Sequence, residues 1–454
     1  MPGTSDRKIH WRRLKANMAA VVLARLVVPV LNIALVVSIA RSGGAGSLGE
    51  YTFLVTVFVL LEQLKSFGLP MLIVRDVARD EDSALSNHVS LVRLGLCGAV
   101  AGVPILLAAA MSSGMASNEL LIASICISLG LFPSAHIVAN DGLFLAIGRA
   151  PLSTSVALVE NTARLGLSLL AVAFFNGGLI ALGIVYALTR LGAALAQSWI
   201  IHFYLRLPVE PENKVLTRNL LRQAPVALAI YVAPIVLFRM DIVILGMFGT
   251  PQDTGIYSAA ARLVSTAMIV PDGLLTATFV TLSRFAGDGD LDGLSLLFGR
   301  TLRVICFGLV PASVVGGWLA PFAISVLYGD KWSTSVAVLR ILIWTLAPFA
   351  LSRAMGDALV ALGRQAEVAR IILVTAAISV PVYIVLILAL GAVGAAWGFV
   401  FSAGVTCVLC LHACGREPTL ARLTAVAALF RRSASESAFS PPAQPLGAAE
   451  DSTI

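Results

Sequence analysis

Thirteen of the charged side chains that lie inside otherwise apolar stretches of the sequence are candidates for chemistry within a membrane. Eight are cations, namely Arg25, Lys65, Arg164, Arg190, Arg239, Arg262, Arg340 and Arg353, and five are acids, namely Glu62, Glu160, Asp241, Asp272 and Asp357. A charge that faces lipid at the centre of a bilayer costs roughly 2.5–3.5 kcal/mol or more. These side chains therefore need an ionic partner, a watery cavity or the membrane interface, and the excess of cations favours an anionic ligand.

Some of these charges have a partner of opposite sign on the same predicted helix. The pairs, three or four residues apart, are Glu62 with Lys65, Glu160 with Arg164, and Arg353 with Asp357. Such spacings place both groups on one helix face, so we expect neutralised pairs. Arg239 and Asp241 are two residues apart and point in different directions, so they are not predicted to pair with each other.

Other deep arginines have no acid at helical spacing, among them Arg25, Arg190, Arg239 and Arg262. A guanidinium binds a phosphate group through two parallel hydrogen bonds. We therefore expect Arg25, Arg239 and Arg262 to line a cavity and contact a phosphate. The alternative is ion pairing between helices, with Asp241, Asp272 or Glu62 as partners. The predicted cationic set is Arg25, Arg164, Arg190, Arg239 and Arg262, and the candidate coupling acids are Glu62, Asp241 and Asp272.

No pattern in the chain indicates catalysis or a bound cofactor. The phosphate-binding loop of nucleotide hydrolases is absent from the sequence, so ATP is not expected to drive the protein directly. Cys407, Cys410, His412 and Cys414 have metal-like spacing, but they lie in a hydrophobic run without a second ligand cluster. We interpret these cysteines as buried apolar side chains and expect no metal.

The composition is that of a protein embedded in a membrane. Hydrophobic residues make up 58% of the 454 residues and charged residues only 13%, where a soluble protein carries about 25%. The mean hydropathy is +0.91. The net charge of +7 is explained by basic cytoplasmic loops, so we expect no nucleic-acid partner.

A membrane-spanning helix needs about 20 mostly apolar residues. Twelve segments meet this length: 16–40, 51–74, 90–111, 119–147, 152–175, 178–204, 219–248, 255–282, 298–326, 334–362, 367–390 and 393–414. With a cytoplasmic N-terminus, this arrangement places 22 Lys and Arg residues on the cytoplasmic side and 2 on the other. The positive-inside rule therefore predicts that both termini are cytoplasmic.

The chain is predicted to consist of two related halves. Pro29 and Pro234 are 205 residues apart, the Gly-x-Tyr turns at Gly49 and Gly255 are 206 apart, and the Gly-Arg pairs beginning at Gly148 and Gly363 are 215 apart. In a polytopic membrane protein, such a repeat is typical of two lobes around a midplane pathway. The predicted regions are a basic N-terminus (1–15), a six-helix lobe (16–204), a cytoplasmic linker (205–218), a second six-helix lobe (219–414) and a cytoplasmic tail (415–454) that begins with an amphipathic helix.

Three stretches resemble polysaccharide-transporting flippases of the MOP superfamily (Wzx type). The first, Asp241–Asp288, has an Asp before an apolar run. The turn GIYSAAARL then enters the next helix, and that helix ends near LSRF. The others are SLGEYTFLVTVFVLLEQLKSFGLPMLIVRDVARD at 47–80, and PFAISVLYGDKWSTSVAVLRILIWTLAPF at 321–349 with ALVALGR at 358–364. The resemblance extends over nearly the whole chain.

The resemblance implies an all-α polytopic fold with about twelve transmembrane helices in two six-helix lobes around a central cationic cavity. It implies a bacterial inner-membrane protein that moves a polyprenyl-pyrophosphate-linked oligosaccharide from the cytoplasmic to the periplasmic leaflet. Membrane lipids, a polysaccharide polymerase and a chain-length regulator are the further partners implied. Only Arg262 and Asp241 match recognisable positions of the family's motifs.

Other functions are compatible with parts of the sequence. A cation-coupled multidrug or metabolite exporter of the same superfamily needs acidic cation sites in its first lobe, whereas the first predicted span holds Arg25 and no acid. A flippase for lipid II would be expected to have two more spans. An enzyme that polymerises or ligates glycans would need a large external loop, and the predicted external connections are short.

Overall fold

The computed structural model describes residues 4–66, 68, 83–175, 178–205, 218, 222, 224, 228 and 232–420. Within these ranges the chain is helical and contains no β-strand. The α-helices are α1 (Thr4–Ser66), α2 (Ser83–Ser112), α3 (Asn118–Leu129), α4 (Leu131–Ala146), α5 (Ala150–Phe175), α6 (Leu179–Trp199), α7 (Ala233–Phe248), α8 (Pro251–Ala267), α9 (Ile269–Asp288), α10 (Leu291–Tyr328), α11 (Ser333–Leu342), α12 (Leu346–Ala361) and α13 (Gln365–Gly415). A π-helical turn, Ile200–Tyr204, follows α6, and 3₁₀ turns flank α11 at Asp330–Trp332 and Ile343–Thr345.

Nine helical segments of the described chain are long and apolar enough to cross a membrane. Three of these segments each contain two consecutive helices: α3 with α4, α8 with α9, and α11 with α12. Large apolar side chains cover the outside of the molecule, and Val270 and Trp318 are each 78% exposed. Such a surface is stable only in contact with lipid, so the protein is a multi-pass membrane protein.

At two of the predicted connections, one helical stretch passes into the next at a single non-helical glycine. We predicted a connection at 41–50 between the first two spans, but α1 continues from Thr4 to Ser66 with only Gly44 (φ 74°, ψ −169°) outside helical geometry. Gly391 (φ 56°, ψ −128°) interrupts α13 in the same way between the last two predicted spans. Glycine tolerates these positive φ values because it has no Cβ atom. The count of twelve spans stays a prediction.

The two Gly-Arg turns of the repeat have the same local geometry. Gly148 ends α4 with φ 69°, and Gly363 ends α12 with φ 79°. In both turns the arginine N–H donates to a carbonyl five residues earlier, from Arg149 to Phe144 (2.7 Å) and from Arg364 to Leu359 (2.9 Å). This left-handed glycine cap satisfies carbonyls at the helix end that would otherwise lack a partner.

Helices of the two sequence halves meet tightly at one end of the molecule. α1 packs extensively against α8, with Gly49 next to the backbone of Pro251 and Gly255 next to the backbone of Ala45. The Arg41 guanidinium donates from Nε to the Leu327 carbonyl and from Nη2 to the Val326 carbonyl, both at 2.8 Å. These bonds satisfy carbonyls at the C-terminal end of α10. We call this the kink-side end, after Gly44.

Several regions of the prediction lie outside the described residues. The linker at 205–218 is described only at residues 205 and 218, and the tail only as far as 420. For the basic N-terminus, the backbone is described from Thr4 and the side chains are not.

Candidate functional site: a charged cavity

A cavity of about 340 Å³ lies among α1, α4, α5, α6, α7 and α8. Both sequence halves contribute to its walls. We call the α1, α4, α5 and α6 side the first wall, and the α7 and α8 side the second wall. Four of the five predicted cationic residues line it: Arg164, Arg190, Arg239 and Arg262. The predicted acids Glu62 and Asp241 line it as well.

The arginines of the first wall are neutralised by acids. Arg164 pairs with Glu160 one helical turn earlier, as the spacing predicted. Arg190 pairs with Glu62 on α1 and lies 3.6 Å from Glu160. The arginine side chains also pack on aromatic rings, Arg164 at 4.4 Å from the Tyr186 centroid and Arg190 at 5.6 Å from that of Phe58. Cation–π contacts of this kind add to the ionic attraction.

The predicted pairing of Glu62 with Lys65 is not what the structure shows. Lys65 is buried, and its Nζ donates to the Leu131 carbonyl (2.6 Å) and to the Ser134 hydroxyl. Glu62 pairs with Arg190 instead. The two side chains lie on adjacent parts of one helix face, but the packing of α1 against α4 and α6 gives each a different partner.

The two arginines of the second wall have no acidic partner. In the part of the chain that the structure describes, no carboxylate lies within ion-pair distance of Arg239 or Arg262. Both guanidinium groups line the same cavity, and like charges that share a cavity repel each other. Both side chains are half-buried and line the cavity. An anion placed between them would remove this repulsion and supply hydrogen-bond acceptors to both guanidinium groups.

Asp241 lies beside these arginines without forming an ion pair with either. The residue is 4% exposed, and its carboxylate accepts a hydrogen bond from the Tyr257 hydroxyl. Its Oδ1 atom has no hydrogen-bond partner among the described residues. The arrangement confirms that Arg239 and Asp241 are not mutual partners.

The first wall also carries uncharged polar groups. Asn32 on α1 donates to Asn161 on α5 (3.3 Å). Gln197 donates from Nε2 to Asp141 (2.9 Å), and the same Asp141 oxygen accepts from the Ser153 hydroxyl. The Gln197 Oε1 atom is buried and has no partner among the described residues. Sequence reasoning missed this group because amides inside apolar helices show no distinctive spacing.

The cavity as a whole is lined by equal numbers of positively and negatively charged side chains. Four arginines face four carboxylates, the latter being Glu62, Asp141, Glu160 and Asp241. The family resemblance implied a cationic cavity, and the count of charges in the predicted spans gave an excess of three cations. Several of those cations lie elsewhere, so the unpaired positive charge is confined to the second wall.

Two predicted site residues do not belong to the described cavity wall. Asp272 is 48% exposed at its side chain and pairs with Arg353 of α12 at 3.2 Å, and Arg353 also pairs with Asp357 at 3.1 Å, as predicted. Asp272 therefore forms an ion pair between α9 and α12. Arg25 lies in α1, and its side chain is outside the described part of the molecule.

Two of the three cysteines of α13 are buried between neighbouring helices. Cys410 and Cys414 are buried, and the Cys414 Sγ lies 3.9 Å from the Met355 carbonyl oxygen. The side chains that surround them belong to an apolar cluster of α9, α10, α12 and α13. Their positions fit packing contacts between α12 and α13.

The fold is similar to two solved transporter structures. One is described as the inward-facing conformation of a multidrug resistance MATE family transporter of the MOP superfamily. Its TM-score is 0.73 at 14% identity, over 91% of this chain and 99% of that chain. The other is the lipid II flippase MurJ in an inward closed conformation, with a TM-score of 0.72 at 13% identity over 89% of each chain. At these identities the likeness shows a common fold.

Sequence comparison gives a more specific relationship. The chain is 22% identical over 173 residues to the probable low-salt glycan biosynthesis flippase Agl15 of Haloferax volcanii. That match spans 38% of this chain and 37% of the relative, so it covers little more than a third of either protein. The model of the family described as "Polysaccharide biosynthesis protein" matches residues 44–337. Since this match covers more than half of the chain, the protein belongs to the polysaccharide biosynthesis protein family and has the helical membrane fold of MOP superfamily transporters.

Proposed function

We propose that this protein is a flippase that moves an anionic, polyprenyl-pyrophosphate-linked oligosaccharide across the bacterial inner membrane. The cargo passes from the cytoplasmic to the periplasmic leaflet and is used there to build a surface polysaccharide such as O-antigen or exopolysaccharide. Both termini of the protein are cytoplasmic in this proposal. A polysaccharide polymerase and a chain-length regulator are the proteins that would act on the delivered cargo.

The unpaired Arg239 and Arg262 carry this proposal. Two half-buried guanidinium groups that repel each other inside an apolar protein are unfavourable unless an anion joins them. A pyrophosphate offers several oxygens that accept paired N–H bonds from both arginines. Membership of a polysaccharide biosynthesis family and a fold shared with lipid II flippase support a lipid-linked glycan as the bearer of that pyrophosphate.

The cavity also explains how such a cargo crosses a bilayer. Sugar hydroxyls and phosphate oxygens cannot enter hydrocarbon without losing their hydrogen bonds, and the polar walls replace those bonds. The polyprenyl tail remains in the lipid and passes a gap between the two halves of the molecule. Movement of the halves would expose the cavity to each side of the membrane in turn.

The alternative is a cation-coupled exporter of drugs or metabolites. Three acids on the first wall, Glu62, Asp141 and Glu160, and the similarity to a MATE transporter favour this alternative. However, Glu62 and Glu160 are paired with arginines, and Asp141 accepts hydrogen bonds from Ser153 and Gln197. A cationic drug would have to displace these partners and would meet Arg239 and Arg262 on the opposite wall.

The proposal predicts that export depends on the charge of the second wall. We expect Arg239→Gln and Arg262→Gln to reduce surface polysaccharide by about 10- to 100-fold, since hydrogen bonds to charged groups contribute about 1.5–3 kcal/mol. Arg→Lys at each position keeps the charge and loses the paired geometry, so its loss is smaller. The measurement is surface polysaccharide per cell, together with the amount of lipid-linked repeat unit in extracted membranes.

Arg340→Gln is the matched control, because Arg340 lies in a predicted span but outside the cavity lining, where it donates to the Gly317 carbonyl at 3.3 Å. We expect this variant to export normally. Full export by normally inserted Arg239→Gln and Arg262→Gln variants would contradict the assignment of the pyrophosphate to this wall.

A further inference from the structure

Asp141 on α4 is an acid of the first wall that has no basic partner. Glu62 and Glu160 of the same wall each pair with an arginine. Within the described part of the chain, no Lys or Arg lies within ion-pair distance of Asp141. Its Oδ1 atom accepts hydrogen bonds from Gln197 and Ser153, whereas its Oδ2 atom accepts none from the described residues. A carboxylate inside a membrane protein is unfavourable without a positive charge beside it.

The amide of Gln197 on α6 supplies a second free acceptor next to this carboxylate. Gln197 is 2% exposed, and its Nε2 atom donates to Asp141 at 2.9 Å. Its Oε1 atom is buried and has no hydrogen-bond partner among the described residues. Both amide atoms are bonded to the same carbon, so the free oxygen also lies close to the carboxylate. A buried acceptor without a donor is unfavourable, and a bound cation would satisfy it.

Ser153 on α5 completes a set of oxygen atoms from three helices. Its hydroxyl donates its proton to Asp141, which leaves the lone pairs of the oxygen available. Hard cations bind to carboxylate, carbonyl and hydroxyl oxygens of this kind. A single carboxylate balances a single positive charge, and the described residues include no group of three or more His, Cys, Asp or Glu side chains that could hold a metal ion. The set therefore suits a monovalent cation rather than a divalent or transition metal.

The sequence repeat places a different arrangement in the second half of the chain. Asp357 follows Asp141 by 216 residues, and each precedes a Gly-Arg turn. Asp357 is neutralised by Arg353 on the same helix, at 3.1 Å. The acid of the first half lacks such a partner, so the two halves differ in their capacity to bind a cation.

The charge around the two free carboxylates of the cavity favours the first wall. Asp241 on the second wall also has an oxygen without a partner among the described residues. However, the unpaired Arg239 and Arg262 line that wall and would repel a cation. The first wall contributes three acids and two arginines to the cavity, so its net charge attracts a cation.

We propose that the Asp141 carboxylate, the Gln197 amide oxygen and the Ser153 hydroxyl bind a sodium ion. The ion joins α4, α5 and α6 near the α4–α5 turn, on the wall opposite the two unpaired arginines. Its role rests on the proposed function and adds the coupling ion to it: sodium that moves into the cell down its gradient drives the cargo outward.

The experiment measures sodium binding to the purified full-length protein in detergent, without cargo. Thermal unfolding is compared in sodium chloride and in choline chloride at equal ionic strength. A ligand that binds only the folded protein lowers the unfolding constant in proportion to its concentration relative to its dissociation constant. We expect sodium at about 100 times its dissociation constant to lower the unfolding constant about 100-fold, which raises the melting temperature.

Variants of the three ligands assign this effect to the site. Asp141→Asn, which keeps the size of the side chain, and Gln197→Leu should abolish the difference between the two salts, and Ser153→Ala should reduce it. The difference is read within each variant, so a general loss of stability does not obscure it. Asp357→Asn is the matched control, because Asp357 is the repeat-related acid and is paired with Arg353. It should keep the full sodium effect.

The outcomes separate the site, its role and the underlying function. Equal melting temperatures of the wild-type protein in the two salts overturn the sodium site, as does a sodium effect that persists in Asp141→Asn. In cells, Asp141→Asn should reduce surface polysaccharide, and normal export by this variant overturns the driving role of sodium. Unchanged surface polysaccharide after deletion of the whole protein overturns the proposed function, while the sodium effect on the purified protein still supports the site.

Discussion

At the scale of residues, the ion pair between Glu62 and Arg190 joins helices that are far apart in the sequence. The pair connects α1 with α6, and the two side chains are only 9% and 12% exposed. Arg190 keeps a second, longer contact with Glu160 at 3.6 Å. A buried pair of this kind adds little net stability, but loss of one partner leaves an uncompensated charge.

We therefore predict that Glu62→Gln destabilises the protein by about 3 kcal/mol, the lower end of the usual cost, because Glu160 partly compensates Arg190. The double variant Glu62→Gln with Arg190→Gln should recover most of this loss, since no charge is left unpaired. The measurement is the thermal unfolding of purified protein in detergent. If the double variant is as unstable as the sum of the single variants, the two side chains do not interact as described.

The residues also show which contacts a sequence can reveal. The pairs Glu160–Arg164 and Arg353–Asp357 were predictable because both members lie on one helix and helical geometry fixes their separation. The partner of Glu62 was not predictable, because it lies 128 residues away and depends on the packing of α1 against α6. Asp272 was predicted at the cavity but pairs with Arg353 instead. Its helix is almost uniformly apolar, so the sequence does not indicate which helix face points to the cavity.

At the scale of elements, α1 and α8 approach so closely at the kink-side end that their glycines have no room for a side chain. A Cβ atom on Gly255 would overlap the carbonyl oxygen of Ala45, and one on Gly49 would overlap that of Pro251. These obstacles are backbone atoms, which cannot move aside as a flexible side chain does. The Gly-x-Tyr turns that marked the repeat therefore coincide with a contact between the two halves.

We predict that Gly255→Ala and Gly49→Ala weaken this contact. Overpacking of a tight interface typically costs about 1–3 kcal/mol, so the melting temperature should fall. A cysteine at the cavity position Ser258, in a background without the native cysteines, should also react faster with a thiol reagent. Gly166→Ala on α5 is the control, because its Cβ atom would meet no atom within 4 Å. A Gly255→Ala protein as stable and unreactive as this control would contradict the tight contact.

The elements themselves were largely predictable, since apolar length and glycine placement mark helices that cross a membrane. The limits of α2, α5 and α6 lie close to the predicted spans at 90–111, 152–175 and 178–204. The break at Gly391 falls within the predicted connection at 391–392. The connection at 41–50 was not predictable in detail, because a polar, glycine-containing stretch has the composition of a loop, whereas the structure needs only one non-helical residue there, Gly44.

At the scale of the whole molecule, contacts between the two sequence halves gather at the kink-side end. Gly114 donates its N–H to the Met247 carbonyl at 3.2 Å, which joins the loop after α2 to the end of α7. Arg41 binds the end of α10. By our proposed topology this end faces the periplasm. Transport by alternating access requires all these contacts to separate once in each cycle.

The final prediction is that a covalent link across the kink-side end stops transport. Gly46 lies next to Gln252, with 3.8 Å between an added Cβ atom and the Gln252 Nε2 atom, so cysteines at these positions can be joined by a short thiol crosslinker. In a protein without its six native cysteines, Gly46→Cys with Gln252→Cys should export normally until the crosslinker is added. Export should then stop, and lipid-linked repeat units should accumulate in the cytoplasmic leaflet. A cleavable linker should restore export on reduction, while either single cysteine treated in the same way should export throughout. Undiminished export with the link fully formed would show that the two halves need not separate at this end, and the cargo would then have to cross by another route.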